Sequence, residues 1–275
     1  LIMTATSTAI LHASSSDLYL VNFAGSGAFT ITDPSITLLS SFIVNGGAVT
    51  VGTGTTAIGG SMLVNSGSFV HSSGTVLLNA TSSGHTINVG NNPFYDLQIG
   101  APAGGYTLHS ATTTNNFTIA NASSLTVQSG ATLTIDGIFT NSVGGASTTW
   151  TGSTLNLNSA SPYSVNSRTN NGDAYGTLFI GQNADVRMWY SSATTTTVST
   201  SSSLYSQDHA NTNGSLYIYG DFGISTTTEY WNYATDFDGT SLFGVERIVN
   251  VYMATSATTT VNSGTLQILG GSGNV

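Results

Sequence analysis

A short corner motif recurs along this chain and limits what it can fold into. Val44-Asn-Gly-Gly, Val64-Asn-Ser-Gly, Val127-Gln-Ser-Gly and Val261-Asn-Ser-Gly each join the end of one apolar run to the start of another. In the fullest copy, Val127-Gln-Ser-Gly-Ala-Thr-Leu-Thr-Ile-Asp136, the second run alternates apolar with polar residues, the pattern of a half-buried strand. Glycine suits the turning point because it reaches positive φ without a Cβ clash. A unit this short cannot bury its apolar face alone, so its recurrence implies stacking on copies of itself.

The spacing supplies a period. Val44 and Val64 lie 20 residues apart, about one coil of a stacked β array. A second motif, Ser-Ala-Thr-Thr-Thr, begins at Ser110, Ser192 and Ser256, with offsets of 82 and 64. Those offsets match four and three coils of about 21 residues. The sequence therefore predicts an all-β, single-chain parallel β-helix, a β-solenoid, with about 20–21 residues per turn. Around a dozen coils at roughly 4.8 Å each make a rod some 60 Å long. Asn is plentiful at the corners, where it accepts left-handed geometry and is expected to form ladders between coils. No stretch keeps helical spacing over two turns.

Two segments differ in character. Residues 1–162 carry regular solenoid coils, with 1–41 the less regular part. Residues 163–275 continue the solenoid with aromatic-rich coils and longer loops, and 163–252 hold fifteen of the twenty-six aromatics and all three arginines. Leu216-Tyr-Ile-Tyr219 alternates as a core strand does, which assigns such aromatics to a wider section of core. The run Tyr230-Trp-Asn-Tyr-Ala-Thr-Asp-Phe-Asp-Gly239 does not alternate, so Tyr230, Trp231, Tyr233 and Trp189 are the candidates for a glycan- or partner-binding surface.

Composition narrows the function. Charged residues make up 5% of the chain, against roughly 25% in an ordinary globular protein. Lysine is absent, and Arg168, Arg187 and Arg247 face twelve acids, for a net charge of −9. Nucleic acid is an unsuitable partner, because affinity for phosphates rests on Lys and Arg. No apolar run approaches the roughly 20 residues of a spanning helix, so no membrane insertion is expected. Zero cysteine excludes disulfides, thiolate catalysis and Cys-based zinc sites. Ser, Thr, Asn and Gly supply a polar surface that does not ionise, as expected of an exported bacterial surface protein. The opening Leu1-Ile-Met-Thr has no basic n-region, and both ends read as cuts through a longer repetitive chain.

Candidate chemistry is sparse. The densest carboxylates are Asp221, Glu229, Asp236, Asp238 and Glu246, which no His, Lys or Arg constellation accompanies; they read as solvated loop acids, with the paired acids of a polysaccharide-degrading β-helix enzyme as the less favoured alternative. Asp236-Phe-Asp-Gly239 matches only the opening of a calcium loop. His12, His71, His85, His109 and His209 are scattered, although stacking can bring His71, His85 and His109 near one another. Sequons begin at Asn79, Asn116, Asn121 and Asn213. The Thr-Thr-Thr runs suggest an ice-binding face, but such a face needs Thr-x-Thr on every coil. No catalytic residue, cofactor or metal is expected.

The segment Ser192-Ala-Thr-Thr-Thr-Thr-Val-Ser-Thr-Ser-Ser-Ser-Leu-Tyr-Ser-Gln-Asp-His209, with Ser215-Leu-Tyr-Ile-Tyr-Gly-Asp-Phe222, resembles repetitive surface proteins of uncultivated, small-genome bacteria. More loosely, the corner motif is similar to haemagglutinin-type adhesins and other right-handed β-helix proteins. The resemblance implies right-handed winding and a cell-surface or extracellular fibre; the uncharged stacking repeat adds the expectation of self-association into filaments, and the aromatic loops that of a glycan or partner-cell surface as the alternative. It carries no catalytic residues.

Overall fold

The structure, a computed structural model, describes residues 1–158 apart from 15 and 144–146, and beyond them nine strands up to residue 261. Among the described residues every regular element is a strand, and every strand pair is parallel. Among the described residues no helix is long and apolar enough to cross a membrane.

The first coil carries β1 (Ile2–Met3) and β2 (Ala9–Leu11), and the second β3 (Val21–Phe23), β4 (Ala28–Ile31) and β5 (Ile36–Leu38). The third holds β6 (Phe42–Val51) and β7 (Thr55–Ile58), and the fourth β8 (Met62–His71) and β9 (Thr75–Leu78). The fifth to eighth coils are drawn from β10 (His85–Asn88), β11 (Phe94–Leu108), β12 (Thr112–Val127), β13 (Thr132–Ile135), β14 (Phe139–Asn141), β15 (Thr148–Thr149) and β16 (Thr154–Leu157). Then follow β17 (Tyr163–Val165), β18 (Ala174–Ile180), β19 (Asp185–Met188), β20 (Ser192–Val198), β21 (Ser203–Ser206), β22 (Asn211–Ile218), β23 (Asp221–Ile224), β24 (Ile248–Met253) and β25 (Thr259–Val261). Because β6, β8, β11 and β12 bend through corners, the ladders merge into one 20-stranded sheet. The strands β17, β19, β21, β23 and β25 form a second sheet.

Cα partners run up the first face as Ile2, Asn22, Ile43, Leu63 and Asn88. Ile87 continues it to Leu108 and Val127, and Leu125 meets Thr148 one coil above. Seven such steps make eight coils in residues 1–158. Most steps are 19 to 23 residues, and the step from Leu63 to Asn88 is 25. The period read from the corner motif is therefore the coil of the fold, and Val44 and Val64 are direct register partners.

The Ser-Ala-Thr-Thr-Thr copies divide. Thr112, Leu133, Leu155, Leu178 and Thr196 are successive partners, so the first two copies lie on one sheet four coils apart. The third copy ends in β25, on the other sheet. From β20 the chain makes two pairing steps, to β22 and to β24, before it reaches that strand. The second step separates Ser215 from Asn250, so the 64-residue offset is two coils and a change of sheet, not three equal coils. An enlarged coil had mimicked an extra period.

Inward columns make the core. Phe29, Phe23, Phe42, Phe69 and Phe94 form a spine with ring centroids 5.2, 5.5, 5.6 and 6.0 Å apart along it. Each contact of this kind adds about 0.5–1.5 kcal/mol beyond area burial. Above them Phe117 stacks on Phe139 at 5.9 Å. Tyr106 fills the bulge of the 25-residue step: its hydroxyl accepts the N–H of Ala80 (3.0 Å) and donates to the carbonyl of Ile58 (3.3 Å). It thereby pins three levels of the stack, and burial pushes its pKa up to about 12.

The corner glycines do what the motif predicts. Gly47, Gly67 and Gly130 have φ of 69°, 84° and 83°. At Gly67 a Cβ would also fall on the carbonyl oxygen of Gly47, whereas at Gly130 there is open space. Gly130→Ala should cost about 1–2 kcal/mol, the left-handed strain alone. Gly67→Ala should cost clearly more, and equal denaturation midpoints for the two variants would contradict the close stacking. Tyr106→Phe, which keeps the ring but leaves the Ala80 N–H unpaired in the interior, should lower stability by about 1–3 kcal/mol in urea unfolding.

Candidate functional site

Polar side chains in the described coils are used mainly between coils. Asn45 Nδ2 donates to Asn22 Oδ1 at 3.0 Å, and Asn65 Nδ2 to Asn45 Oδ1 at 2.8 Å, so the motif asparagines form the expected ladder. Ser41 Oγ accepts the N–H of Ser61, and Ser61 Oγ that of Thr86. Thr86, Thr107, Thr126 and Thr149 continue that column as register partners. Asn92 Oδ1 accepts the N–H of Phe69 at 3.0 Å, where Asn91-Asn-Pro93 forms the predicted corner. These oxygens take up backbone donors that the regular ladder leaves over at bends.

Among the described residues Asp33 is the one buried carboxylate. Its oxygens accept the N–H groups of Ala13 (2.6 Å) and Ser14 (3.0 Å) in the coil below, and His12 Nδ1 lies 3.1 Å away. The Ala13 hydrogen bond holds its pKa below the ordinary value, against the opposing effect of burial, with Ser14 and His12 adding to the lowering. Ser14 takes a φ of 52° to present its N–H. The carboxylate ties a loop to the coil above; it faces no acid partner that would make a catalytic pair.

Ser82 and His85 are the nearest approach to a nucleophile and base, with Oγ and Nε2 3.1 Å apart. The pair is solvent-exposed, and the ring packs on Tyr106 at 5.7 Å. Among the described residues no carboxylate is recorded at its Nδ1, so nothing orients the imidazole as a triad does. His71, His85 and His109 are not brought together. His85 pairs with Tyr106 and the His109 N–H bonds to Ile87, both on the first face, while His71 ends β8 at another corner. Among the described residues no three His, Asp or Glu side chains could hold a metal.

The Thr run splits between two faces. Thr112 and Thr114 are buried, and Thr114 Oγ1 donates toward the carbonyls of Tyr95 (3.2 Å) and Asn116 (2.8 Å). Thr113 lies between them and is half-buried. A strand of period two cannot present three successive threonines outward, so this motif builds no ice-binding face. Of the sequons, Asn116 has both ends of its amide engaged, by Asp96 and by the N–H of Ile138, whereas Asn121 is exposed.

Tyr230, Trp231, Tyr233 and Trp189, and with them Glu229, Asp236, Asp238, Glu246 and His209, lie outside the described residues. Asp221 opens β23, in register with Ser203. Among the described residues three ionisable side chains are buried, Asp33, His71 and Tyr106, and of these only His71 was named from sequence, as one of three histidines that stacking could bring together. Only Asp33 had a local signal, its place before Pro34 at the end of a strand. The other two stand at positions whose neighbours in register are ordinary core or strand residues. Comparison with protein-family models, curated proteins and solved structures finds no match to this chain.

Proposed function

We propose that this chain is a structural, non-catalytic β-solenoid of the cell exterior, a subunit or segment of a surface fibre that stacks end to end. The observation that carries the reading is the direction in which polar chemistry is used. The Asn22, Asn45 and Asn65 ladder, the column from Ser41 to Thr149 and the Asp33 clamp each join one coil to the next. None converges on a point where a substrate could react. The same parallel pairing that joins coil to coil can join chain to chain, since a strand edge offers equivalent donors and acceptors at every level. A chain with 5% charged residues and no lysine supports life outside the cell and contact with neutral partners, not with nucleic acid.

A second reading, an adhesin or carbohydrate-binding surface, draws on the register of the later coils. Thr113, Thr134 and Asn156 form a column beside the buried Leu133 and Leu155. Phe179, Thr197, Tyr217 and Tyr252 continue that column upward, and Phe179 is half-buried. Aromatic residues at such register positions suit contact with sugar rings, and Trp189 and Trp231 remain the sequence candidates for the same role.

Electron micrographs of the purified protein decide the first reading. Rods that join end to end are expected, and dispersed single particles at every salt and protein concentration would overturn it. For the second, a glycan array should give a signal that drops about tenfold, or 1.4 kcal/mol, on Tyr217→Ala or Trp231→Ala. A silent array removes that reading and leaves the fibre untouched.

A further inference from the structure

His71 stands at the end of β8, in register with Val51 one coil below. The side chain is 7% exposed and packs on Phe69 with ring centroids 6.1 Å apart. Its Nδ1 accepts the N–H of Gly74 at 2.9 Å, which fixes the neutral ring as the Nε2–H tautomer. Nε2 is buried and has no hydrogen-bond partner. Gly74 itself has no room for a side chain, because a Cβ there would fall on His71 Cε1 and on the carbonyl of Gly54. The corner at 71–74 is thus closed by one hydrogen bond to one ring nitrogen.

A second proton can enter only at Nδ1. It turns the acceptor of the Gly74 N–H into a donor, so two donors face each other and a charge sits beside Phe69. The groups around the ring do little to relieve this. From β6 below comes Val51, and alongside come Gly74 and Thr75, none of them ionisable. Asp96 of β11 is the ionisable group that acts on the ring, and it favours the charged form. We propose that His71 is an acid-sensitive latch, whose protonation releases the 71–74 corner and loosens the stack at its fourth coil.

The direction in pH follows from the same contacts. Burial lowers the pKa of His71 from its ordinary 6.5, with Asp96 opposing. The unfolded or opened corner therefore binds a proton first as the pH falls. The contribution of the latch is complete above 6.5 and is lost as the pH drops toward the folded value. Asp33 titrates below its ordinary 3.8 and so leaves this window clear.

The test is amide hydrogen exchange on the labelled full chain at about pH 7.5 and about pH 5, corrected for the intrinsic rate. Protection at Gly74 should fall about tenfold more than at Asn79, whose N–H bonds the backbone of Ile58 instead. The thermal midpoint of the wild type should fall over the same range, whereas that of His71→Val, which copies Val51 of the coil below, should stay level. Equal loss of protection at Gly74 and Asn79 overturns the latch, as does an unchanged acid response in His71→Val. Should that variant fail to fold, the imidazole titration followed by NMR in the wild type decides: a midpoint at or above 6.5 refutes it. Asp96→Asn should move that midpoint to lower pH.

Discussion

Everything in this molecule depends on a parallel, in-register hydrogen-bond ladder that repeats every coil. Each backbone N–H must find an acceptor one coil away, about 4.8 Å along the axis. Along the faces the acceptor is another carbonyl. At the bends the ladder slips, as it does around Asn45 and again between Gly100 and Gly105, and there the backbone needs help. Side-chain oxygens of Ser35, Ser41, Ser61, Asn92, Ser110 and Asn116 supply it. The Ser- and Asn-rich composition is thus a consequence of having a corner every few residues, and it explains how a chain with so few charges satisfies its backbone.

Stacking also sets the tolerance for size. Two backbones that cross a corner one coil apart leave no room for a Cβ, which is why Gly47 and Gly67 lie in one column over Gly27. Where the chain takes an enlarged step, between Leu63 and Asn88, the added backbone is held by a single long side chain, Tyr106, reaching from the coil above. Irregularity in one coil is absorbed by its neighbours and does not break the register of the rest.

These two constraints explain what was legible in the sequence. Val44 and Val64 announced the register because a corner that needs positive φ and close approach accepts almost nothing but glycine, so its spacing survives. Alternation in Leu133-Thr-Ile135 and Leu155-Asn-Leu157 announced the inward columns, which are buried as expected. The third Ser-Ala-Thr-Thr-Thr copy misled because an insertion can make up a whole period, and a string of offsets cannot tell a long coil from two short ones. Leu216-Tyr-Ile-Tyr219 poses a related question. Alternation says that two sets of residues face apart, and only register says which set continues the buried Leu155 and Leu157 columns. Leu216 and Ile218 do, which leaves Tyr217 in the column of Asn156. His71 was legible only as one of three histidines that stacking could gather; its burial was not, although Val51 one coil below marks the position as core.

The buried polar groups differ in how completely the fold answers them, and that difference orders their response to acid. Asp33 is met by two N–H groups from the coil below and by His12, so its charged form is the one the structure prefers. His71 is met on one nitrogen only and preferred neutral. Both pKa values are displaced downward, one by hydrogen bonding to the charge and the other by desolvation of it. By linkage both make the stack weaker as the pH falls, but His71 does so first, starting from 6.5, and Asp33 only below 3.8. Among the described residues Asp33 and His71 are the buried groups that ionise at acid pH. On the latch reading, the acid response of the described coils therefore begins at one corner of the fourth coil, ahead of the Asp33 clamp.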